Sequence, residues 1–258
     1  MMRFWLCICY MITAIVAVAQ RPREVQEQTH FWWSINSQAR VSDKWSIAGD
    51  LHIRRTDFLT HNSFYFLRAA AVYHVTSNLA LSAGPGKLWL ANRGGATELF
   101  SNENRLVEQA VLTQRLGRVQ LLHRLRLEQR WQQKVVNFIP VDEIRYTNRY
   151  RYMLGVTIPL STKRHIPSVN IVDELLLQSG PDIVYNTFDQ NRLFAGIRQQ
   201  VTPSLAFDFG YMLVFQQRLS GYQYSRNHTL RWFFFWQPDW RKKKVTAPTV
   251  PVIPDTEF

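Results

Sequence analysis

Along Val119–Trp131 the side chains divide by parity. Val119, Leu121, His123, Leu125, Leu127, Gln129 and Trp131 fall on one side; Gln120, Leu122, Arg124, Arg126, Glu128 and Arg130 fall on the other. A period of two is the strand period, because consecutive side chains on a strand face opposite sides of the sheet. A helix would scatter the four charges around its circumference. At about 3.4 Å per residue these 13 positions reach roughly 40 Å, long for a soluble strand. A strand tilted about 45° crosses a bilayer core with roughly 9–11 residues. One apolar face, one ionic face and excess length predict the wall of a membrane barrel, with lipid outside and a polar lumen inside.

The same alternation recurs on both sides of this stretch. Trp45, Ile47, Leu51 and Ile53 oppose Ser46, Asp50, His52 and Arg54; Tyr146, Tyr150, Tyr152 and Leu154 oppose Arg145, Thr147, Arg149 and Arg151. Leu205, Phe207, Phe209, Tyr211, Leu213 and Phe215 oppose Ala206, Asp208, Gly210 and Gln216. Eleven candidate strands result, joined by short turns at 42–44, 76–78, 115–118 and 202–204 and by longer loops at 55–62, 91–102, 132–142, 179–187 and 218–224. Gly84-Pro85-Gly86 predicts a bulge or kink, because proline lacks the amide that a paired strand needs. Trp33, Trp45, Trp131, Tyr146, Trp232 and Trp236 gather near strand ends, as interfacial girdles require. The predicted fold is all-β: an antiparallel up-and-down transmembrane β-barrel of ten to twelve strands. Bacterial barrels usually have even strand numbers, so a count of eleven implies one strand missed or wrongly split.

Composition refines this picture. The 258 residues suffice for one barrel domain, and the net charge is +12 with a pI near 10. Arginine supplies 24 of the 31 cations, and its planar fork suits carboxylates and phosphates. Residues 1–19 read as an export signal: Arg3, the largely apolar run Phe4–Ala19, then the small-x-small ending Ala17-Val18-Ala19. At about 1.5 Å per residue that run reaches roughly 24 Å as a helix, short of a core about 30 Å thick. Both cysteines, Cys7 and Cys9, lie within it, so the mature chain would hold neither disulfide nor thiol chemistry. The barrel would occupy 20–237. Residues 238–258, with Arg241-Lys242-Lys243-Lys244 and prolines at 248, 251 and 254, read as a basic disordered tail. Basic charge with many aromatics also marks nucleic-acid binders, but export and strand alternation argue against that class.

The alternation turns eleven arginines inward: Arg40, Arg54, Arg68, Arg124, Arg126, Arg130, Arg145, Arg149, Arg151, Arg192 and Arg198. Asp50, Glu128, Glu174 and Asp208 share or approach that face. Buried charges need partners, so interlocked ion pairs filling a narrow lumen are the first reading. A narrow pore or pocket that favours anions is the second, because cations exceed the nearby carboxylates. The candidate lumen and anion-binding residues are Arg68, Arg124, Arg126, Glu128, Arg130, Arg145, Arg149, Arg151 and Arg192. No catalytic residue, metal site or cofactor is expected. His30, His52, His74 and His123 lack metal-ligand spacing. His61 and Ser63 form a His-x-Ser pair like that of some outer-membrane lipid hydrolases, with no orienting carboxylate at a recognisable spacing. Expected partners are membrane lipid, lipopolysaccharide phosphates, the barrel-assembly machinery and a small anionic solute, with the protein a monomer in the cell outer membrane. Phe258 is like the aromatic end of barrel-assembly signals, but the prolines before it make Trp232–Trp236 the better closing segment. A soluble periplasmic barrel or lipid carrier is the remaining alternative.

Several stretches resemble an uncharacterised domain-of-unknown-function family of small outer-membrane barrels from Gram-negative bacteria. They are Glu103-Asn104-Arg105, Arg115-Leu116-Gly117, His123 to Arg130, Arg149-Tyr150-Arg151-Tyr152, Phe188-Asp189-Gln190-Asn191-Arg192 and Gly210-Tyr211. The resemblance covers roughly residues 27–237. It implies an outer-membrane barrel and brings no catalytic residues, because the family has no assigned activity.

Overall fold

The computed structural model describes residues 22–94, 97–163 and 166–241. The export signal expected at 1–19 and residues 242–258 of the expected tail lie outside them. Eleven strands follow in order: β1 (Glu24–Arg40), β2 (Trp45–Thr56), β3 (His61–His74), β4 (Leu79–Asn92), β5 (Leu99–Leu116), β6 (Val119–Val136), β7 (Ile139–Pro159), β8 (Ser168–Ser179), β9 (Phe188–Thr202), β10 (Leu205–Gln217) and β11 (Gln223–Trp236). Each pairs antiparallel with its neighbour in sequence, and β1 closes the barrel on β11.

That closure is parallel, from Glu24↔Gln223 through to Ser37↔Trp236. With strands alternating up and down, an odd number leaves the first and last pointing the same way. No strand is therefore missed or split; the expectation of an even number is corrected by a parallel seam. Beyond β11 the chain keeps to β1. The Arg40 amide donates to Pro238 O (2.9 Å), and the Trp240 amide donates to Arg40 O (2.8 Å). At this rim the Arg241 guanidinium hydrogen-bonds Asp239 and holds its carboxyl down to about 2. Arg40, expected inside, instead donates to the Ser42 carbonyl (3.0 Å) and the Asp43 carbonyl at the same rim.

Connections at one end, the turn end, are mostly tight. In the β5–β6 hairpin Leu116 faces Val119 across a two-residue turn in which Gly117 takes φ +60. The opposite, loop end carries 57–60, 93–98, 180–187 and 218–222. The loop expected at 132–142 is corrected: β6 and β7 continue past Pro140 to a two-residue turn, Asn137-Phe138, with φ of 49° and 67°. Two successive left-handed residues match the twist of a hairpin, which lets the strands pair to their tips. Pro140 is accommodated where the register shifts between Gln133 and Val135. At the predicted irregularity in β4, Gly84 and Pro85 have no partner on β3 yet remain in register with Val107 and Leu106 on β5.

Outward positions are apolar over most of the wall, with Ile47, Leu51, Leu67, Leu125, Leu175, Leu193 and Phe209 all exposed. Aromatic pairs mark both levels: Trp45–Tyr73 and Trp236–Trp240 near the turn end, Trp131–Tyr146 and Tyr65–Phe100 toward the loop end. Asn104 and Glu108 on β5 interrupt the apolar wall as exposed polar side chains. Inside, Leu122, Met153, Val172, Phe194, Met212, Phe233 and Phe235 pack into a buried cluster with Trp32 and Val214. This cluster fills part of the interior with packed apolar side chains.

Packing is tight where β9 meets β10. Gly196 and Gly210 face each other across the ladder, and a Cβ on Gly210 would meet Gly196 Cα at 2.5 Å as well as Ala195 O and the Phe194 ring. Those obstacles are mostly backbone and cannot rotate away. Gly210→Val is expected to destabilise the barrel by about 1–3 kcal/mol through overpacking. Urea unfolding followed by tryptophan fluorescence would show the lowered midpoint.

Candidate functional site

All nine candidate lumen residues project inward, and eight of them join one network. Glu103 on β5 accepts from Arg130 Nε and Nη2 (2.6 and 3.0 Å), Arg105 Nε (2.6 Å) and Gln132 Nε2 (2.8 Å). Arg105 also lies 3.5 Å from Glu128. Glu128 is fully buried and gathers Arg151 (2.5 Å), Arg149 (3.7 Å) and Arg126 (3.8 Å) besides. Arg151 then reaches Glu174 (2.9 Å), which also holds Arg124 (2.6 Å) and Arg192 (3.5 Å). Asp189 pairs with Arg149 at 3.0 Å. Arg145 joins at the edge, donating to Gln132 Oε1 at 3.2 Å. The backbone of this network alternates in sign: Glu103, Arg105, Glu128, Arg151, Glu174.

The ninth candidate, Arg68, stands apart, paired with Asp50 at 2.5 Å. A third group centres on Asp208, which accepts from Arg198 (2.7 Å), Arg231 (3.1 Å) and Asn170 (2.8 Å). Two of the inward arginines, Arg54 and Arg231, also lie over aromatic rings. Arg54 is 3.4 Å from the Trp32 ring centre and 4.4 Å from that of Phe64; Arg231 sits 4.0 Å from Phe194 and 4.3 Å from Phe233. A desolvated guanidinium over an aromatic face gains about 2 kcal/mol or more, which offsets part of its burial cost.

Strand alternation explains why these side chains meet. Arg124, Arg126, Glu128 and Arg130 are every second residue of β6, and Arg145, Arg149 and Arg151 share the inward parity of β7. The register sets Glu128 beside Arg149 and Arg126 beside Arg151. Sequence reasoning missed Glu103, Arg105, Asp189 and Arg231. On β5 the signal was blurred, because Asn102, Asn104 and Glu108 make the outward face polar too. On β11 Arg231 precedes the aromatic run Trp232–Trp236, whose inward and outward members look alike. The parity of Asn227, Thr229, Arg231 and Phe233 could have found it.

Toward the loop end the packing opens into a cavity of about 630 Å³. One wall carries Arg130, Arg145 and Arg149; another carries Phe64, Leu88 and Leu90. Arg218, Leu219 and Ser220 line its rim. Buried Asn186 and Asn227 also border it, and their amide oxygens have no hydrogen-bond partner in the protein. Twelve arginines point into the lumen among the described residues: 54, 68, 105, 124, 126, 130, 145, 149, 151, 192, 198 and 231. Six carboxylates answer them: Asp50, Glu103, Glu128, Glu174, Asp189 and Asp208. The interior is thus strongly cationic.

Ser63 lines this cavity, and His61 opens β3 two residues before it. Ser63 occupies the irregularity where β2 and β3 shift register between Arg54 and Arg55. His61 Nε2 is 3.8 Å from Asp57 Oδ2, a carboxylate that the loop after β2 brings back and that spacing alone did not reveal. Among the described residues, no three potential ligands among His, Cys, Asp and Glu gather as a metal cage.

The family model described as "Protein of unknown function (DUF2490)" matches residues 29–226. The chain belongs to this family. The match spans most of β1 to β11 and contains every member of the Glu103–Glu174 network. No curated protein and no solved structure matches the chain.

Glu128→Gln removes the charge that four arginines share. Breaking a buried ion pair costs about 3–5 kcal/mol, because the partners stay buried and uncompensated. Arg145→Gln, at the network's edge, is expected to cost under about 0.5 kcal/mol, like other substitutions away from buried networks. Denaturant midpoints of the two variants, measured side by side, would separate these values.

Proposed function

We propose that this protein is an outer-membrane β-barrel whose lumen is plugged by its own side chains and whose loop-end cavity receives anions. The observation that carries this reading is the twofold excess of inward arginines over carboxylates, concentrated beside a cavity. A fixed cationic surface of low local dielectric draws counter-charge. The membrane assignment is supported by the apolar outer wall, by aromatic pairs at two levels and by strands of 12 to 21 residues, ample for a tilted span. Lipopolysaccharide phosphates and small anionic solutes are the natural partners at the loop end, and the protein acts as a monomer, without covalent chemistry.

Of the two readings open to an arginine-rich lumen, the plugged one is favoured over the narrow channel. Phe194, Phe233, Met153 and Met212 are fully buried inside the barrel, and Arg192 reaches across to within 5.3 Å of the Trp32 ring centre. Such packing leaves no continuous water path at that level.

Membrane fractionation and gel mobility with and without boiling test the location: recovery with the outer membrane and a heat-dependent shift are expected, and recovery in the soluble periplasm would sink it. Planar bilayers test the plug. The expected result is no ion current in 1 M salt, as an order of magnitude at which steady pores conduct readily. Ser63→Ala is expected to leave lipid composition unchanged, and serine-dependent release of fatty acid from phospholipid or lipopolysaccharide would replace this reading with a hydrolase.

A further inference from the structure

The cavity is two-sided, and the sides differ in chemistry. On β6 and β7, Arg130 faces Thr147, so Arg145 and Arg149 flank it diagonally on the same inward surface. Arg130 is held by Glu103 and Arg149 by Asp189, whereas Arg145 has only the neutral Gln132 as its polar partner. Among the described residues no carboxylate lies within ion-pair distance of Arg145, and Glu103, Asp182 and Asp189 act on it only from farther away. On β3 and β4, Phe64 is paired with Leu90 and Phe66 with Leu88; Arg54 and Arg105 lie over the two rings, and Leu90 leaves the most apolar surface open. This surface faces into the barrel, so bilayer lipid does not cover it. An anion alone would satisfy the arginine wall and leave the apolar wall wet.

We infer that the cavity binds an amphiphilic anion: a carboxylate or phosphate head on Arg145, with Arg130 and Arg149 beside it, and an apolar body against Phe64, Leu88 and Leu90. The volume of about 630 Å³ falls within the range for a whole small ligand, about 300–1,000 Å³. A guanidinium fork takes either head bidentately, so the head chemistry is shared between fatty acids and lipid-derived phosphates. The inference rests on the anion-receiving cavity proposed above and adds the apolar half.

The test uses the full mature barrel in lipid nanodiscs of zwitterionic phospholipid, with Trp32 at the cavity as the fluorescent reporter. Four probes are titrated in matched blank-corrected series: octanoate and octyl phosphate, their heads alone as acetate and inorganic phosphate, and the body alone as octanol. Octanoate or octyl phosphate is expected to bind at least tenfold tighter than its own head group and than octanol; whichever of the two binds tighter identifies the head. Arg145→Gln is expected to weaken that binding about tenfold, and Leu90→Gln to weaken the amphiphile while leaving the bare head group unchanged. Equal affinity for head and amphiphile would overturn the inference and leave the anion-receiving cavity standing. Absence of binding by every anion, in a barrel that retains its heat-dependent mobility, would remove both. Octanol binding as well as octanoate would also overturn it, since the arginines would then play no part.

Discussion

Charge burial governs this molecule. A guanidinium removed from water without compensation costs several kcal/mol, and the lumen holds a dozen of them. Each must find a carboxylate, an amide or a ring, and all three are used. Glu128 serves four arginines, Gln109 and Gln132 fill gaps between charges, and Trp32, Phe64, Phe194 and Phe233 present their faces. Arginine suits this arrangement better than lysine because its five donors lie in one plane and serve several acceptors at once. The inward lining is accordingly arginine throughout most of its cations, and Lys87, Lys134 and Lys163 stay outside the network.

The ion pairs fix register as well as charge. A slip of one residue between β6 and β7 would turn Arg145, Arg149 and Arg151 outward, taking Arg149 and Arg151 from Glu128 and Arg151 from Glu174. Hydrophobic alternation alone would permit a slip of two. The pairing of Glu128 with particular guanidiniums, and of Glu174 with its own set, penalises that slip too. The parallel seam between β1 and β11 has no hairpin to set its register. There the inward residues Ser34 and Asn36 and the rings of Trp33 and Phe234 meet across the join, and the stretch after β11 adds hydrogen bonds to Arg40.

The same rule explains why a cavity survives at one end. Near the turn end the interior is completed by Leu122, Val172 and Phe235, which need no partners and pack to native density. Toward the loop end the excess of arginine is largest and the strands outrun the apolar filling. Among the described residues, no carboxylate comes within ion-pair distance of Arg145. Space and positive charge therefore remain together, beside the apolar residues Phe64, Leu88 and Leu90.

Alternation along Val119–Trp131 was enough, by itself, to establish strands, their inward faces and the barrel class. The nine candidate residues were legible because side-chain parity is a local property of an extended chain. So were Asp50 and Glu174 as partners for them, and Asp208 as an inward carboxylate, which pairs with Arg198 and Arg231. Turn geometry was less legible: Gln132 to Asp142 looked like a loop, since nothing local announces that Asn137 and Phe138 both take left-handed angles. Glu103 and Arg231 were hidden by a polar outward face on β5 and by an aromatic run on β11. What only the tertiary structure decided was closure and pairing. Which guanidinium meets which carboxylate, that the first and last strands run parallel, and where the filling stops all depend on register between strands far apart in sequence, and parity carries no information about register.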